Sequence, residues 1–362
     1  PLAFPRRRRY PSAPEREGAV MRQVDIGGLR ASDWSLGTMT FGNQTPQDDA
    51  HRQMDMALAA GVTLWDCAEM YPVNPVRRET VGRSEAIIGS WLASRGGRDR
   101  VVLATKVAGP GSPVRAEGYG TPVLERACEA SLRRLNTEVI DLYQLHWPER
   151  GTYAWRQHWD WRPPSNREET LAHMDDVLGA LSRLVERGKV REVGLSNETA
   201  WGTCRWLDRA EATGAPRMVS VQNEYSLLDR LYDADMAEAT AMEGLALLAY
   251  SPLAAGLLTG KYLDGAVPPG SRKALNGTLS GRAAPRTDAA VRAYHALAAE
   301  AGMDPVHMAL AWHRTRPFPS LPIFGATTAD QLARILKGLD AAVPPDLARA
   351  IDEAHRQHPL PF

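Results

Sequence analysis

The sequence predicts an α/β protein with the fold of a (β/α)8 TIM barrel, a short N-terminal hairpin and long rim loops. Eight apolar strand-like runs alternate with amphipathic helix-like stretches along the chain. Strands that are apolar on both faces and separated by helices indicate a parallel sheet, and eight such units close most economically as a barrel. A length of 362 residues suits a barrel with insertions. A doubly wound open sheet is the alternative.

The eight strand-like runs follow a hairpin candidate at Gly27 and Gly28. They read "WSLGTM", "VTLWDC", "VVLATKV", "VIDLYQLHW", "VREVGLSN", "MVSVQNEY", "LALLAYSPL" and "SLPIFGAT". Helix signals lie between them: Pro46 at a helix start, "SEAIIGSWLASRG", "VLERACEASLRRLN", "ETLAHMDDVLGALSRLVERGK", "TAWGTCRWLDRAEATG", "DADMAEATAMEG", a pair from Asp288 to Arg316, and "TADQLARILKGLD". Two long irregular segments, Pro148 to Arg167 and Gly256 to Thr287, follow the fourth and seventh strands. In a barrel, both lie on the catalytic rim.

The phosphate loop that an open-sheet nucleotide fold requires is missing. "GPGSPV" at 109–114 lacks the third glycine and contains two prolines that oppose a following helix, while "GLLTGKY" at 256–262 lacks the spacing and the Ser or Thr of a P-loop. The barrel is therefore favoured, and a nucleotide would need another device to hold it.

The first 20 residues, "PLAFPRRRRYPSAPEREGAV", contain four consecutive arginines and four prolines. This composition predicts a disordered or non-native extension that is dispensable, with Met21 as the natural start. A polybasic targeting arm is the alternative. Residues 21–362 are expected to form one domain. No window reaches the roughly 18 continuous apolar residues of a membrane span.

Composition points to a small-molecule partner. Lys+Arg 43 balances Asp+Glu 43, so neither nucleic acid nor a membrane surface has an electrostatic reason to bind. Cys67, Cys128 and Cys204 are far apart and form no CxxC pair, which disfavours a zinc site or a disulfide framework and fits a reducing cytoplasm.

Polar residues stand at the carboxyl ends of consecutive strands, where barrel enzymes build their sites. Each has an ordinary structural explanation by itself, but the set favours a site, and in "LWDCAEMYPVNP" Tyr71 follows the first of them. The strand-end residues are Asp66, Lys106, His146, Asn197, Gln222 and Tyr250. A lysine ammonium beside a phenol lowers the pKa of the phenol from about 10, which predicts a Tyr71–Lys106 acid–base pair. Asp66 would keep the lysine charged, and His146 would hydrogen-bond a substrate carbonyl oxygen.

Several motifs together resemble the aldo-keto reductases. "DCAEMY", "LATK" and "LYQLHW" resemble the Asp, Tyr, Lys and His tetrad of that superfamily, while "GTMTFG", "GLSNE", "QNEYS" and "AYSPL" resemble its cofactor segments, in matching order. "AEMYPVNP", "GLSNETAWG", "LTGKYLDG" and "GATTADQL" are most similar to the bacterial Tas-type branch. The resemblance implies a (β/α)8 barrel and NADPH-dependent reduction of aldehydes or ketones, with NADH possible.

The resemblance also implies a role for each matching residue. Tyr71 would be the general acid and base, tuned by Lys106 and Asp66, and His146 would orient the carbonyl. Ser196, Asn197 and Gln222 would hydrogen-bond the nicotinamide carboxamide, and Tyr250 would stack on its ring. The remaining implied cofactor contacts are Gly37, Thr38, Met39, Ser251, Leu253, Gly256, Leu257, Lys261, Arg272, Gly325, Thr327, Thr328 and Gln331.

One departure concerns the adenosine 2'-phosphate. Where related enzymes carry an Arg or Lys, and further on an Asn, this chain has Thr328 and Ile335. The helix start at Thr327 and Thr328 can still receive a phosphate through backbone N–H groups, and Arg272 and Lys273 are expected to supply the missing charge.

The segment "HWPERGTYAWRQHWDWRPP" carries Trp147, Trp155, Trp159 and Trp161. Aromatic residues on an exposed loop favour a substrate-pocket wall or a subunit contact over simple rim packing. A monomer and a homo-oligomer both remain open.

Two other functions remain as alternatives. One is a metal-dependent barrel hydrolase, although the nine histidines include no HxH or HExxH pair at ligand spacing, so no metal site is expected. The other is a non-catalytic cofactor sensor, against which the intact tetrad argues.

Overall fold

In the computed structural model, which describes residues 21–362, eight parallel strands close into a barrel, as the sequence predicts. Each barrel strand pairs with the strands next to it along the chain, and the last barrel strand pairs with the first. The preceding antiparallel hairpin is β1 (Gln23–Ile26) and β2 (Leu29–Ser32). The barrel strands are β3 (Ser35–Gly37), β4 (Leu64–Asp66), β5 (Val102–Val107), β6 (Ile140–Leu145), β7 (Val190–Ser196), β8 (Met218–Glu224), β9 (Ala246–Tyr250) and β10 (Ser320–Phe324). The expected extension, 1–20, lies outside the described residues.

Helices follow the strands and cover the outside of the barrel. They are α1 (Gln47–Ala59), α2 (Arg83–Arg95), α3 (Thr121–Leu135), α4 (Arg167–Glu186), α5 (Ala200–Thr213), α6 (Asp235–Glu243), α7 (Arg272–Leu275), α8 (Thr287–Glu300), α9 (Pro305–Ala311), α10 (Ala329–Leu336) and α11 (Pro345–Gln357). Pro46 is the N-cap of α1. The sequence analysis missed α11, although Leu347, Ile351 and Ala354 recur at i, i+4 and i+7 on its buried face.

Side chains alternate between the two faces of each strand, and this alternation separates two hydrophobic cores. Leu64, Ala104, Leu142, Leu248 and Leu321 face the barrel interior and pack on the β1–β2 hairpin, which closes the amino-terminal end. Their neighbours Trp65 and Cys67 face outward into the helix layer. Cys67 therefore points to the face of the sheet opposite Asp66.

The interior side chains change from apolar to polar toward the carboxyl ends of the strands. On β4 the inward series runs from Leu64 to Asp66, and on β5 it runs from Ala104 to Lys106. Because all eight strands are parallel, these polar ends meet at one mouth of the barrel. The two long loops lie on that rim, after the fourth barrel strand, β6, and the seventh, β9.

No helix within residues 21–362 is long and apolar enough to cross a membrane.

Helix α2 approaches the end of α3 closely at Gly89. A methyl group on Gly89 would lie 2.2 Å from the carbonyl oxygen of Arg134 and 2.9 Å from the carbonyl carbon of Leu135. Because these atoms belong to backbone, relief of the clash requires a shift of the whole helix end.

We expect Gly89→Ala to lower the free energy of unfolding by about 1–3 kcal/mol through overpacking. The matched control is Gly179→Ala on α4, where the nearest atom, Nη1 of Arg183, lies 3.6 Å from the new methyl group. Helix propensity should make this control neutral or stabilising by up to about 1 kcal/mol. Urea denaturation of both variants provides the measurement, and equal stability would contradict the expectation.

Candidate active site at the carboxyl end of the barrel

A buried ion pair lies at the centre of the barrel mouth. The Lys106 ammonium donates to Oδ2 of Asp66 at 2.6 Å and to the carbonyl oxygen of Cys67 at 2.6 Å. The Lys106 side chain is fully buried, and that of Asp66 is only 4% exposed. A buried ammonium requires such partners, because an isolated charge in the interior is very unfavourable. Two of the three ammonium donors are therefore committed.

Two amides complete the shell of Asp66. Nε2 of Gln222 donates to Oδ1 of Asp66 at 2.8 Å and to Oε1 of Gln144 at 3.1 Å, and Nε2 of Gln144 donates to the same Asp66 oxygen at 3.2 Å. Gly194 on the neighbouring strand contacts Gln144 and packs closely against Ser220. A Cβ on Gly194 would lie 3.4 Å from Cγ of Gln144 and 2.5 Å from Oγ of Ser220.

Gln144 is a site residue that the sequence analysis missed. It stands two residues before His146 in "LYQLHW", so the period of two places both side chains on the interior face of β6. The spacing of two residues between Gln144 and His146 was the available signal.

Tyr71 lies above the ion pair on the loop after β4. Nζ of Lys106 is 5.0 Å from the centroid of the Tyr71 ring, and the rings of Tyr71 and His146 meet edge to face at 5.8 Å. The structure thus brings together the four side chains predicted as catalytic.

The pKa of the Tyr71 phenol is raised well above its ordinary value, first by burial and then by the negative charge of Asp66, whereas Arg272 acts in the opposite direction. This upward direction is opposite to the lowering that was expected from Lys106. The charge of the ammonium is already compensated by Asp66 at 2.6 Å. Tyr71 is a neutral phenol, which suits a proton donor.

The pKa of His146 is lowered well below its usual range by burial and then by the positive charge of Lys106. The imidazole is consequently neutral near pH 7 and carries one N–H donor. Its Nδ1 is buried and has no hydrogen-bond partner among residues 21–362.

Asn197, Ser196 and Tyr250 form a hydrogen-bonded group beside His146. Nδ2 of Asn197 donates to the His146 carbonyl oxygen at 2.9 Å and to Oγ of Ser196 at 3.1 Å, and the Tyr250 hydroxyl donates to Oδ1 of Asn197 at 2.9 Å. The Ser196 hydroxyl donates to the Gln222 carbonyl oxygen at 2.9 Å. The donors of this group are thus largely used internally, whereas an amide oxygen can accept a second hydrogen bond.

The loop after β9 has an unusual backbone. Ser251, Ala254, Ala255 and Gly256 all adopt positive φ, at 54°, 47°, 56° and 94°. Such strain in residues other than glycine concentrates at binding sites. Gly256 also makes room for a cation, since a Cβ there would lie 3.2 Å from Nζ of Lys261. The predicted contacts Leu253 and Leu257 lie on this same loop.

Three cationic side chains meet near this loop. The ammonium groups of Lys261 and Lys273 lie 5.1 Å and 5.7 Å from the ring centroid of Tyr262. Arg272, at the start of α7, contacts Sδ of Met39 at 3.5 Å, and the neutral side-chain amide of Asn74 lies beside its guanidinium, where the amide oxygen accepts from Nε once the amide is turned over. Burial and then the nearby Arg282 lower the pKa of Arg272 to about 10. A half-buried guanidinium that has only neutral partners suits an anionic ligand.

The remaining predicted cofactor residues lie where β3 and β10 end. Gly37 and Gly325 face each other closely, because a Cβ on Gly325 would lie 3.2 Å from the Gly37 carbonyl oxygen. Thr38 is buried and donates to the Asp66 carbonyl oxygen at 2.9 Å.

At the start of α10, two backbone N–H groups are capped by side chains of the same segment. Oε1 of Gln331 accepts from the backbone N–H of Thr327 at 3.1 Å, and Oγ1 of Thr328 accepts from the N–H of Gln331 at 3.3 Å. Ile335 is buried among apolar side chains.

The four predicted tryptophans extend from His146 outward. The rings of His146 and Trp147 are 5.0 Å apart, and those of Trp147 and Trp155 are 5.7 Å apart. Trp161 packs on Tyr153 at 6.1 Å, and Trp159 is 75% exposed. Only Trp147 and Trp155 therefore continue directly from the four central side chains.

Within the described part of the chain, no group of three or more His, Cys, Asp or Glu residues is arranged to hold a metal ion.

Comparison with known proteins gives one consistent result. The model of the aldo/keto reductase family matches residues 34–356. "Protein tas" of Escherichia coli K12 is 41% identical over 345 residues, which cover 94% of this chain and 98% of the relative. "Uncharacterized oxidoreductase YrpG" of Bacillus subtilis is 33% identical over 338 residues, covering 90% and 93%. A "probable voltage-gated potassium channel subunit beta" of Oryza sativa subsp. japonica is 29% identical over 336 residues, covering 88% and 92%.

We expect Asp66→Asn to lower the free energy of unfolding by about 3–5 kcal/mol, because it leaves a buried ammonium without its counter-charge. The double variant Asp66→Asn, Lys106→Met should be more stable than the single one, since it removes both charges. Asp346→Asn, which breaks an exposed pair with Arg349, should change little. Urea denaturation measures all three, and a double variant less stable than Asp66→Asn would contradict this account.

Proposed function

Because this chain belongs to the aldo/keto reductase family and is an NAD(P)H-dependent oxidoreductase, we propose that it reduces aldehydes or ketones to alcohols with NADPH, using Tyr71 as the proton donor. The observation that carries the proposal is the neutral Tyr71 phenol above the Lys106–Asp66 pair and beside a neutral His146. The resemblance to the Tas-type branch agrees with a relative that is 41% identical.

The proposed residues divide the chemistry simply. The bound cofactor supplies the hydride that reaches the carbonyl carbon. His146 donates a hydrogen bond to the carbonyl oxygen and orients it, and the Tyr71 hydroxyl delivers its proton to that oxygen as negative charge develops there. The phenolate left on Tyr71 is stabilised by the third donor of the Lys106 ammonium. Asp66 holds that ammonium in place.

The unused acceptors in the site support a nicotinamide carboxamide as ligand. Oδ1 of Asn197 accepts one hydrogen bond, from Tyr250, and Nε2 of Gln222 is turned toward Asp66, which leaves Oε1 of Gln222 as an acceptor. A carboxamide NH2 group offers two donors. We propose that Asn197 and Gln222 accept them, with Ser196 and Tyr250 completing the contact.

The strained loop after β9 supports a pyrophosphate site. The backbone is left-handed at Ser251 and Gly256, and the Lys261 ammonium fills the space beside Gly256, where it could pair with a phosphate oxygen. We propose that Leu253 and Leu257 contribute contacts from the same loop. Gly37, Thr38, Met39, Gly325, Thr327, Thr328 and Gln331 remain proposed contacts along the rest of the cofactor.

Trp147 and Trp155 are the proposed wall of the substrate pocket, since their rings continue from His146. Trp159 and Trp161 are proposed for its outer part. A cytoplasmic location is proposed from the three free thiols, Cys67, Cys128 and Cys204.

We expect Tyr71→Phe to lower aldehyde turnover by at least about 100 to 10,000-fold, the usual contribution of a positioned acid, because only the hydroxyl is lost. Lys106→Met should be similarly impaired. Both variants should still quench protein fluorescence when NADPH is added, since the proposed nicotinamide contacts are elsewhere.

The matched control is Tyr143→Phe, which removes a buried hydroxyl without a hydrogen-bond partner among the described residues, on the outward face of β6. Its turnover should equal that of the wild type. Near wild-type turnover by Tyr71→Phe across several carbonyl substrates would refute Tyr71 as the donor. Tight NADPH binding by the wild type without any turnover would instead favour the sensor.

We expect the wild type to bind NADPH more tightly than NADH, with Arg272 and Lys273 providing charge for the 2'-phosphate in place of a basic residue at Thr328. The double variant Arg272→Ala, Lys273→Ala should lose about tenfold or more in NADPH affinity, because a hydrogen bond to a charged group contributes about 1.5–3 kcal/mol. Its affinity for NADH should change much less.

The control removes two exposed arginines of α11, Arg349→Ala and Arg356→Ala. Dissociation constants from fluorescence titration provide the comparison. Equal binding of NADPH and NADH by the wild type would overturn the preference.

A further inference from the structure

One carboxylate joins the two long loops of the rim. Glu224 ends β8, and its Oε2 accepts from Nη1 of Arg156 at 2.9 Å while its Oε1 accepts from Nε of Arg282 at 2.7 Å. Arg156 belongs to the loop after β6, and Arg282 belongs to the loop after β9. The side chains are 9%, 12% and 6% exposed for Glu224, Arg156 and Arg282. Neither arginine has another carboxylate partner among residues 21–362.

The pair between Arg156 and Glu224 anchors the loop after β6, which carries the tryptophans, to the end of β8. Trp155 and Arg156 both adopt positive φ, at 58° and 67°, a conformation that side chains other than glycine rarely hold without support. Trp155 contacts Trp147, which contacts His146. Arg156, which pairs with Glu224, directly follows Trp155, the residue that forms the outer wall of the pocket.

The other partner of Glu224, Arg282, contacts the strained residues at the start of the loop after β9. Its Nη1 donates to the Leu279 carbonyl oxygen at 3.0 Å, and its Nη2 lies 3.5 Å from Oγ of Ser251. The two long loops also touch directly, because a Cβ on Gly281 would lie 3.1 Å from Cδ of Arg156. A small cavity of ≈ 40 Å³ between Trp155, Arg156, Glu224 and Tyr250 is the remaining space at this junction.

We propose that Glu224 is a positioning residue that couples cofactor binding at Ser251 to the substrate wall at Trp155. The proposal rests on the proposed function, since it takes the cofactor to lie along the β9 loop and the substrate to lie against Trp155. A pyrophosphate beside Ser251 would hold the Arg282 guanidinium in place. Arg282 in turn orients the Glu224 carboxylate, which holds Arg156 and the neighbouring Trp155 in position. The substrates affected are aromatic or long-chain carbonyl compounds that extend from His146 to Trp155.

Coupling of this kind is reciprocal. If the cofactor favours the arrangement in which Trp155 is held, a substrate that contacts Trp155 tightens cofactor binding by the same factor, typically about 5- to 150-fold. A short aliphatic aldehyde that does not reach Trp155 should show none of this coupling. The contrast between the two substrates separates positioning from general loss of structure.

The test variant is Glu224→Gln, which keeps the shape of the side chain and removes its charge. We expect KM for an aromatic aldehyde such as a substituted benzaldehyde to rise at least fivefold, with KM for propionaldehyde and both kcat values nearly unchanged. The affinity for a benzyl alcohol, measured with and without NADP+, should lose its dependence on the cofactor. Arg156→Met should raise KM for the aromatic aldehyde in the same way without lowering the affinity for NADPH.

The matched control is Glu198→Gln. Glu198 is also buried, with 2% of its side chain exposed, and pairs with Arg150 at the base of the same loop, but within residues 21–362 no residue of the β9 loop pairs with it. This variant should retain the dependence of benzyl alcohol affinity on NADP+. If Glu224→Gln does not fold, Arg282→Met replaces it, with the same expected loss of coupling.

The outcomes distinguish a failure of the proposed function from a failure of the coupling role of Glu224. A wild type that turns over no carbonyl compound overturns the proposed function and this proposal with it. An active wild type whose coupling survives Glu224→Gln, or a variant that raises both KM values equally, overturns the coupling role of Glu224 alone.

Discussion

The Lys106–Asp66 ion pair inside the barrel is the constraint on which the rest of the site depends. A fully buried ammonium at 2.6 Å from its carboxylate forces every neighbouring polar group to take a defined orientation. Gln144 and Gln222 turn their amide nitrogens toward Asp66. The barrel supplies this site with rigid walls, because all these residues belong to strands.

The same pair sets the protonation of the two groups above it. Since Asp66 compensates the ammonium, Tyr71 experiences burial and a negative charge and remains a phenol, while His146 is kept neutral by burial and by Lys106. Both groups therefore keep a proton that they can donate in a hydrogen bond. An acceptor such as a carbonyl oxygen is the complementary ligand.

The rim is organised by charge pairs rather than by regular structure. Arg150 binds Glu198 at the base of the long loop after β6, and Arg156 and Arg282 share Glu224 further out. These pairs hold loops whose backbone is locally strained at Trp155, Arg156 and Ser251. Strain of this kind persists only where surrounding contacts determine the conformation, which explains why the charged residues of the loops are buried.

The sequence by itself determined the barrel, the eight strands in order and most of the helices, because hydrophobic periodicity and parallel pairing follow from local pattern. It also indicated Asp66, Lys106 and His146, since strand ends are local features. Only the tertiary structure decided that Gln144 completes the shell of Asp66, that Tyr71 has a raised pKa, and that Glu224 joins two loops 126 positions apart at Arg156 and Arg282. These facts depend on distances between strands and loops remote in sequence, and electrostatic effects follow distance rather than chain order.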